Sequence, residues 1–245
     1  MLEVENVTKS FEGFQAVAGA SLKVEKGQVV AVIGPNGAGK TTLFNLITGH
    51  LRPDSGVIRF KGKVITGLAP HRICRRGVAR SFQLINVFGR LTVYENVQVA
   101  VLAQMKKTWN MFTPADKLVQ AETLAILERV GLAGYAGLPC SALSYGDQKA
   151  LEVAIALSSR PELLLLDEPT AGMSPEETRA TVRLIESLAG QEGLTILFTE
   201  HDIDMVFNVA QKIVVMYQGK TIAEGLPEEV RKNPEVQKAY LGEAV

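Results

Sequence analysis

The sequence predicts an α/β protein: a mixed sheet at the core, an antiparallel β subdomain beside it and an inserted α-helical subdomain. One observation behind this is the apolar run Val29-Val30-Ala31-Val32-Ile33, which leads straight into a glycine-rich turn and then a helical stretch. A second is the set of short apolar runs Leu163 to Leu166, Thr195 to Phe198 and Ile213 to Met216. Their continuous hydrophobicity suits parallel strands covered on both faces. A third is a change of texture between Thr92 and Ser159, where glycine turns thin out and helical spacing dominates.

In chain order, residues 2–8 and 20–25 read as strands, the second carrying the alternation Leu22-Lys23-Val24-Glu25. Val57-Ile58-Arg59-Phe60 followed by Gly62 reads as a further strand and turn, completing a small antiparallel sheet. Val78 to Phe82 reads as a strand returning to the core. Thr113-Pro114-Ala115-Asp116 has the form of a helix start, with Thr as N-cap, Pro at the first helical position and Asp at the third. Leu124, Leu127 and Val130 then mark an apolar stripe. Gln218-Gly219 is a turn between two terminal strands, and the tail from Pro227 reads as two short helices. The expected organisation is one domain over residues 1–245. Its core comprises residues 1–90 and 160–225, with a helical subdomain at 91–159 and a helical tail at 226–245.

Hydrophobic residues make up 47% of the chain, enough for a sizeable core. Lys and Arg total 26, as do Asp and Glu, and this balance argues against a nucleic-acid partner, which would want a basic face. Arg72, Arg75, Arg76 and Arg80 make a local basic stretch, read as solvated. Cys74 and Cys140 lack metal-ligand spacing and are expected to be reduced thiols. Met1 to Lys9 already alternates like a strand, so no secretory leader is expected. No apolar run approaches the roughly 18 residues of a membrane span, so a role at a membrane would require another chain to do the crossing.

The turn after the first apolar run is Gly34-Pro35-Asn36-Gly37-Ala38-Gly39-Lys40-Thr41-Thr42, a G-x-x-x-x-G-K-T pattern. Glycines let successive N–H groups curl around a phosphate oxyanion where a Cβ would clash. The helix that opens near Gly39 adds its positive end, Lys40 adds a full charge, and the Thr41 hydroxyl suits Mg²⁺. The spacing therefore predicts a P-loop NTPase core that takes ATP and Mg²⁺. Downstream, Leu163-Leu164-Leu165-Leu166 ends in Asp167-Glu168. Carboxylates at the C-terminal end of a buried strand sit where ligands bind in open α/β sheets. Asp167 suits the Mg²⁺ side of the site, and Glu168 suits the attacking water as general base or orienter.

Leu143-Ser144-Tyr145-Gly146-Asp147-Gln148 precedes the acidic pair and opens a helix read over Lys149 to Ser158. It resembles the signature motif of ABC-type ATPases, usually L-S-G-G-Q. The P-loop, Gln83, this motif, Asp167-Glu168 and His201 stand in that family's order, so the resemblance covers essentially the whole chain. It implies that Phe11 stacks on adenine, that Gln83 senses Mg²⁺ and the γ-phosphate, and that His201 contacts the γ-phosphate. It further implies that Ser144, Tyr145, Gly146 and Asp147 face ATP held by a second ATPase subunit. ATP would then join two subunits and hydrolysis would release them. Ser144 with Asp147 also reads as a capping box.

The chain departs from the family pattern in two places. Tyr145 replaces the first signature glycine, and Asp147 replaces the glutamine. At about 10 Å and an effective dielectric near 20, an extra carboxylate beside ATP costs roughly 1.7 kcal/mol before screening. Where the family often reads S-A-L-D after the acidic pair, this chain has Ala171-Gly172-Met173-Ser174, although Ser174-Pro175-Glu176-Glu177 keeps a complete helix start.

Gly77 to Gln83, Leu91 to Val97, Glu168 to Met173 and the tail Ala223 to Gly242 resemble ATP-binding subunits of branched-chain amino acid importers. The resemblance implies integral membrane permease subunits as partners, docking near Leu84 to Arg90. It also implies an indirect substrate-binding protein and a peripheral place on the cytoplasmic face of the cell membrane. Urea or amide importers, lipopolysaccharide exporters and soluble ABC ATPases share much of the pattern.

Overall fold

The computed structural model of the protein describes residues 1–81, 87–105 and 115–241. Gln83 and the Thr113-Pro114 helix start lie outside the described residues. The chain opens with strands β1 (Leu2–Phe11) and β2 (Phe14–Val24), joined by Glu12-Gly13, both at positive φ. Two positive-φ residues in a two-residue loop match the twist of a tight hairpin. The strands are longer than the sequence suggests. Around the turn, pairs such as Ser10 with Gln15 carry no apolar alternation, yet the backbone ladder continues through them.

Strand β3 (Val29–Ile33), buried at every residue, runs into the glycine loop and helix α1 (Lys40–Ile47). Strands β4 (Ser55–Phe60) and β5 (Lys63–Val64) rejoin the antiparallel sheet, and helix α2 (Pro70–Cys74) leads to β6 (Val78–Arg80). The helical stretch holds α3 (Val93–Gln104), α4 (Ala115–Arg129) and α5 (Tyr145–Leu157). Strand and helix then alternate through β7 (Leu163–Asp167), α6 (Pro175–Glu192), β8 (Thr195–Thr199) and α7 (Ile203–Val209). Strands β9 (Lys212–Tyr217) and β10 (Lys220–Gly225) form a hairpin over Gln218-Gly219, and α8 (Pro227–Lys232) and α9 (Pro234–Leu241) follow.

Among the described residues the strands form two sheets. The antiparallel one has the order β2-β1-β4-β5, and the mixed one the order β10-β9-β3-β8-β7-β6. In the mixed sheet β9, β3, β8, β7 and β6 run parallel, and only β10 opposes its neighbour. The C-terminal ends of β3, β8 and β7 therefore share one edge, with β8 between the other two. That arrangement brings the glycine loop, His201 and Asp167-Glu168 together from far-separated stretches of chain.

The continuous apolar runs follow from what covers the sheet. Ala31, Ile33, Leu164, Leu166, Ile196 and Phe198 pack into one buried cluster with residues of α3, α4, α5 and α6. Val30, Val32, Leu163, Leu165 and Leu197 pack into another with α1 and the antiparallel sheet. Both faces are thus dry, and each buried Leu or Ile side chain contributes roughly 1.5–3 kcal/mol of transfer free energy. Leu127 on α4 and Val130 just past its end are buried, and Leu124 is half-buried, as the stripe predicts. Two of the later helices start on complete capping boxes, Thr92 with Glu95 for α3 and Ser174 with Glu177 for α6. Among the described residues no helix is long and apolar enough to cross a membrane.

Leu164 is fully buried at the centre of the mixed sheet. Leu164→Ala is expected to destabilise the fold by about 2–5 kcal/mol, seen as a lower urea midpoint at unchanged slope.

Candidate nucleotide site

Two glycines of the loop after β3 are required by close approach as well as by conformation. A Cβ on Gly34 would lie 2.2 Å from the Met216 carbonyl oxygen, and one on Gly39, at φ 97°, 2.5 Å from that of Ala16. The loop is wedged between β9 and β2, which holds its N–H groups in place. Gly39 is also the N-cap of α1 and offers no side-chain cap, and no acidic residue stands in the first turn. Helices α3, α5, α6 and α7 each have a side-chain cap. The N-terminus of α1 is thus left to an outside anion.

Asn36, Gly37, Ala38, Gly39, Lys40, Thr41 and Thr42 line an open cleft of about 580 Å³ together with Glu168 and His201. Gly34 does not line it. Its carbonyl accepts a hydrogen bond of 2.6 Å from Lys40 Nζ, which also donates to the Pro35 carbonyl at 3.1 Å. Burial lowers the Lys40 pKa from its ordinary value, and the Glu168 and Asp167 carboxylates oppose that shift.

Phe11 does not line the cleft. It sits at the end of β1 with Lys9 Nζ 5.6 Å from its ring centre. The aromatic that lines the cleft is Phe14, its partner across the hairpin, along with Ala16 two residues further on. Only the register of the hairpin distinguishes the two phenylalanines, because β2 and not β1 abuts the glycine loop. Phe14 is 68% exposed, an apolar ring left uncovered beside the loop.

Across the cleft, Glu168 has φ 49°, a left-handed conformation that is strained for a non-glycine residue. Its N–H is held by both the side-chain and the carbonyl oxygen of Thr199, at 3.0 and 3.2 Å. This turn aims the carboxylate at His201, whose Nε2 lies 2.6 Å from Glu168 Oε1. With Glu168 ionised, Nε2–H is the donor. Asp167 is fully buried one residue earlier. Its Oδ1 accepts from the Thr199 hydroxyl at 2.7 Å and its Oδ2 from Arg80 Nη2 at 2.6 Å.

Arg80 therefore does not belong to a solvated basic stretch. Its side chain is buried against Asp167, and its other arm, Nη1, donates to Asn45 Oδ1 at 2.6 Å. Sequence reasoning also missed Thr199 and Glu200. The Glu200 carboxylate is buried and bridges two functional loops, accepting from the Thr170 N–H and hydroxyl on one oxygen and from the His201 N–H on the other. A polar Thr-Glu-His run directly after an apolar strand is a signal that could have found both.

The signature segment lies elsewhere on the chain. None of Ser144, Tyr145, Gly146 and Asp147 lines the cleft. Helix α5 begins at Tyr145, as the Ser144 cap read from the sequence requires, with Ser144 accepting from the Asp147 N–H. The capping box is incomplete. The Asp147 carboxylate accepts from the Ser144 hydroxyl instead of reaching back to the backbone N–H, which the longer Glu95 and Glu177 side chains do in their own boxes. The Gly146 N–H donates to Glu177 Oε1 at 2.9 Å. A Cβ on Gly146 would stand 2.9 Å from Glu177 Cγ, so glycine is needed for the two helix starts to meet.

A family model described as ABC transporter matches residues 17–171. The chain belongs to the ABC transporter family. A second model, described as branched-chain amino acid ATP-binding cassette transporter, matches residues 220–245 of this ABC ATPase. The high-affinity branched-chain amino acid transport ATP-binding protein BraF of Pseudomonas aeruginosa is 44% identical, over 100% of this chain and 98% of that protein. LivG of Escherichia coli K12, with the same description, is 41% identical over the same shares. Among solved structures, the ADP conformation of MJ1267, an ATP-binding cassette of an ABC transporter, superposes with a TM-score of 0.88 at 33% identity, covering 99% of this chain and 98% of that one.

Glu177 gives this ABC ATPase an acid-sensitive contact between α5 and α6. Hydrogen bonds from the Ser174 N–H, the Gly146 N–H and the Ser174 hydroxyl hold its carboxyl at about 2, below the usual 4.5. A depressed carboxyl stabilises the fold fully above its unfolded pKa and loses that contribution as pH falls toward the folded one. Between about pH 5 and pH 3 the urea midpoint of the parent should therefore fall more than that of Glu177→Gln. Equal slopes would remove Glu177 from the acid response.

Proposed function

We propose that the chain is the ATP-hydrolysing subunit of an importer of branched-chain amino acids and that it works as one half of an ATP-joined dimer. The observation that carries this reading is the Glu168–His201 pair facing the glycine loop across one cleft, with the α5 N-terminus outside it. Half of a phosphate-binding apparatus is inward and half is outward, which suits two chains that share two nucleotides.

In this reading the loop N–H groups, Lys40 and the N-terminus of α1 bind the β- and γ-phosphates, with Phe14 as the ring beside the loop. Glu168 accepts a proton from the attacking water. His201 holds the Glu168 carboxylate through Nε2 and stands next to the γ-phosphate. Water oxygen bonds to the γ-phosphorus, the bond from that phosphorus to the bridging oxygen breaks, and ADP and phosphate leave. The Thr41 hydroxyl lines the cleft and is a hard oxygen donor that fits Mg²⁺. Asp167 and Gln83 join it by resemblance, Asp167 with its two oxygens engaged by Thr199 and Arg80 and without lining the cleft. Among the described residues no group of three or more His, Cys, Asp or Glu could cage a metal. That suits an ion held mainly by phosphates and water. Bound Mg²⁺ supplies charge neutralisation at the phosphates.

Ser144 and Gly146 of one chain would meet the γ-phosphate on the other. Dimeric cassettes stand among the structural neighbours, for example the dimeric structure of MJ0796, a bacterial ABC transporter cassette, at a TM-score of 0.78 and 24% identity. The permease subunits would dock near Leu84 to Arg90, of which residues 84–86 lie outside the described residues, and the chain would then sit on the cytoplasmic face of the cell membrane.

Glu168→Gln is expected to bind ATP, to lose roughly 10²–10⁴-fold in turnover and to accumulate as a dimer in light scattering. Turnover equal to the parent would remove Glu168 from the chemistry, and a monomer in saturating MgATP would remove the shared-nucleotide dimer. Asp147→Gln should tighten that dimer at low salt, because it removes a carboxylate from the phosphate-facing helix end and frees the Ser144 hydroxyl. An unchanged dimer constant would refute the electrostatic effect.

A further inference from the structure

We propose that Glu200 is a positioning residue for ATP hydrolysis, a buried clamp that sets the Glu168–His201 pair by holding the two loops on which those residues stand. The inference rests on the ATPase reading of the cleft and adds to it a residue that does not line the cleft. Glu168 follows β7 and His201 follows β8, so the 2.6 Å contact between their side chains depends on how the chain leaves two neighbouring strands. The Glu200 carboxylate joins those two exits. Its Oε1 accepts from the Thr170 N–H at 2.9 Å and from the Thr170 hydroxyl at 2.5 Å, and its Oε2 accepts from the His201 N–H at 2.8 Å. Glu200 is 3% exposed and Thr170 7%, so these bonds are made away from bulk water.

Two features of the site call for such a clamp. Glu168 has φ 49°. A left-handed non-glycine residue persists only where its surroundings over-determine it. Thr199 fixes the N–H of Glu168, and Glu200 fixes the chain two residues further on, so the strained residue is held from both sides. The second feature is the carboxylate itself. A buried charge is costly, and glutamine has nearly the same shape without it. Yet all three groups bonded to Glu200 are donors, and two of them are backbone N–H groups on different loops. Glutamine offers one oxygen and one NH₂. Whichever way the amide is turned, its NH₂ faces a backbone N–H, either that of Thr170 or that of His201, and one loop is released. Only an acceptor with two equivalent oxygens serves both. Thr199, Glu200 and His201 thus form one continuous stretch whose side chains all reach the β7 exit, at Asp167, Thr170 and Glu168 in turn.

Glu200→Gln and Thr170→Val test the clamp in the intact chain, with Thr170→Ser beside them. Binding sites per chain are counted with a non-hydrolysable ATP analogue and turnover is expressed per site, so a variant that merely folds less well loses sites and not rate. Glu200→Gln is expected to keep the KM for ATP and to lose roughly 10–10²-fold in kcat, the effect that a displacement of about 1 Å has on reacting groups. Thr170→Val removes the hydroxyl and leaves the N–H, so it loses turnover by less, and Thr170→Ser recovers it. The chain has three histidines, so the His201 imidazole resonance, assigned with His201→Gln, gives a readout independent of turnover. Glu168→Gln moves that resonance in the parent and moves it less in Glu200→Gln, where the pair is already apart. A kcat per site equal to the parent in Glu200→Gln overturns the clamp, as does an undiminished response to Glu168→Gln. If Glu200→Gln does not fold, equal kcat per site in Thr170→Val and Thr170→Ser overturns it. A parent chain that does not turn over ATP sinks the ATPase reading and the clamp with it, whereas turnover in the parent that the variants leave unchanged sinks the clamp alone.

Discussion

A carboxylate with no exposed surface sits at the end of a central strand, and much of the surrounding structure is arranged to accommodate it. Leaving Asp167 unpaired in the interior would cost several kcal/mol. It receives a guanidinium from β6 and a hydroxyl from β8, and the guanidinium reaches on to α1. Four elements are therefore held in register around one charge. The conformation of Glu168 depends on the same arrangement, since the threonine that bonds Asp167 also accepts from the Glu168 N–H.

The second organising constraint is a pair of helix N-termini whose donors are met in opposite ways. The N-terminus of α1 has no side-chain cap and opens into the cleft, whereas that of α5 is occupied by groups of its own chain, with Asp147 on the Ser144 hydroxyl and Glu177 on the Gly146 N–H. The Glu177 carboxylate meets the Gly146 N–H and the Ser144 hydroxyl oxygen meets the Asp147 N–H, two of the orphan donors of this helix end. In the shared-nucleotide reading the Asp147 and Glu177 carboxylates stand where a phosphate would arrive from a second chain, so sandwich closure exchanges internal anions for an external one.

Much of the strand and helix order was legible because the chain is locally consistent. The buried runs of β3, β7, β8 and β9 announce themselves, and the Ser174-Pro175 start of α6 is found where the residues place it. Misreadings occurred where local pattern and tertiary position part. The hairpin ends of β1 and β2 lack alternation but are held by backbone pairing. The start of α5 is legible in Ser144 as its N-cap, although the helical texture itself reads clearly only from Lys149. Arg80 sits among arginines that read as solvated, and nothing within a few residues of it reveals an acidic partner at position 167.

The sequence by itself determined the parts: a glycine loop that only backbone N–H groups can exploit, an acidic pair ending an apolar strand, and the family to which they belong. These are local, since each depends on spacing along a single stretch of chain. Tertiary structure alone decided which groups meet. The parallel order β3-β8-β7 sets Glu168 against His201, the hairpin register puts Phe14 and not Phe11 beside the loop, and the β6–β7 pairing delivers Arg80 to Asp167. Those contacts depend on which strands are neighbours and in what register. Such pairings are fixed by burial across the whole sheet, and no short stretch of sequence encodes them.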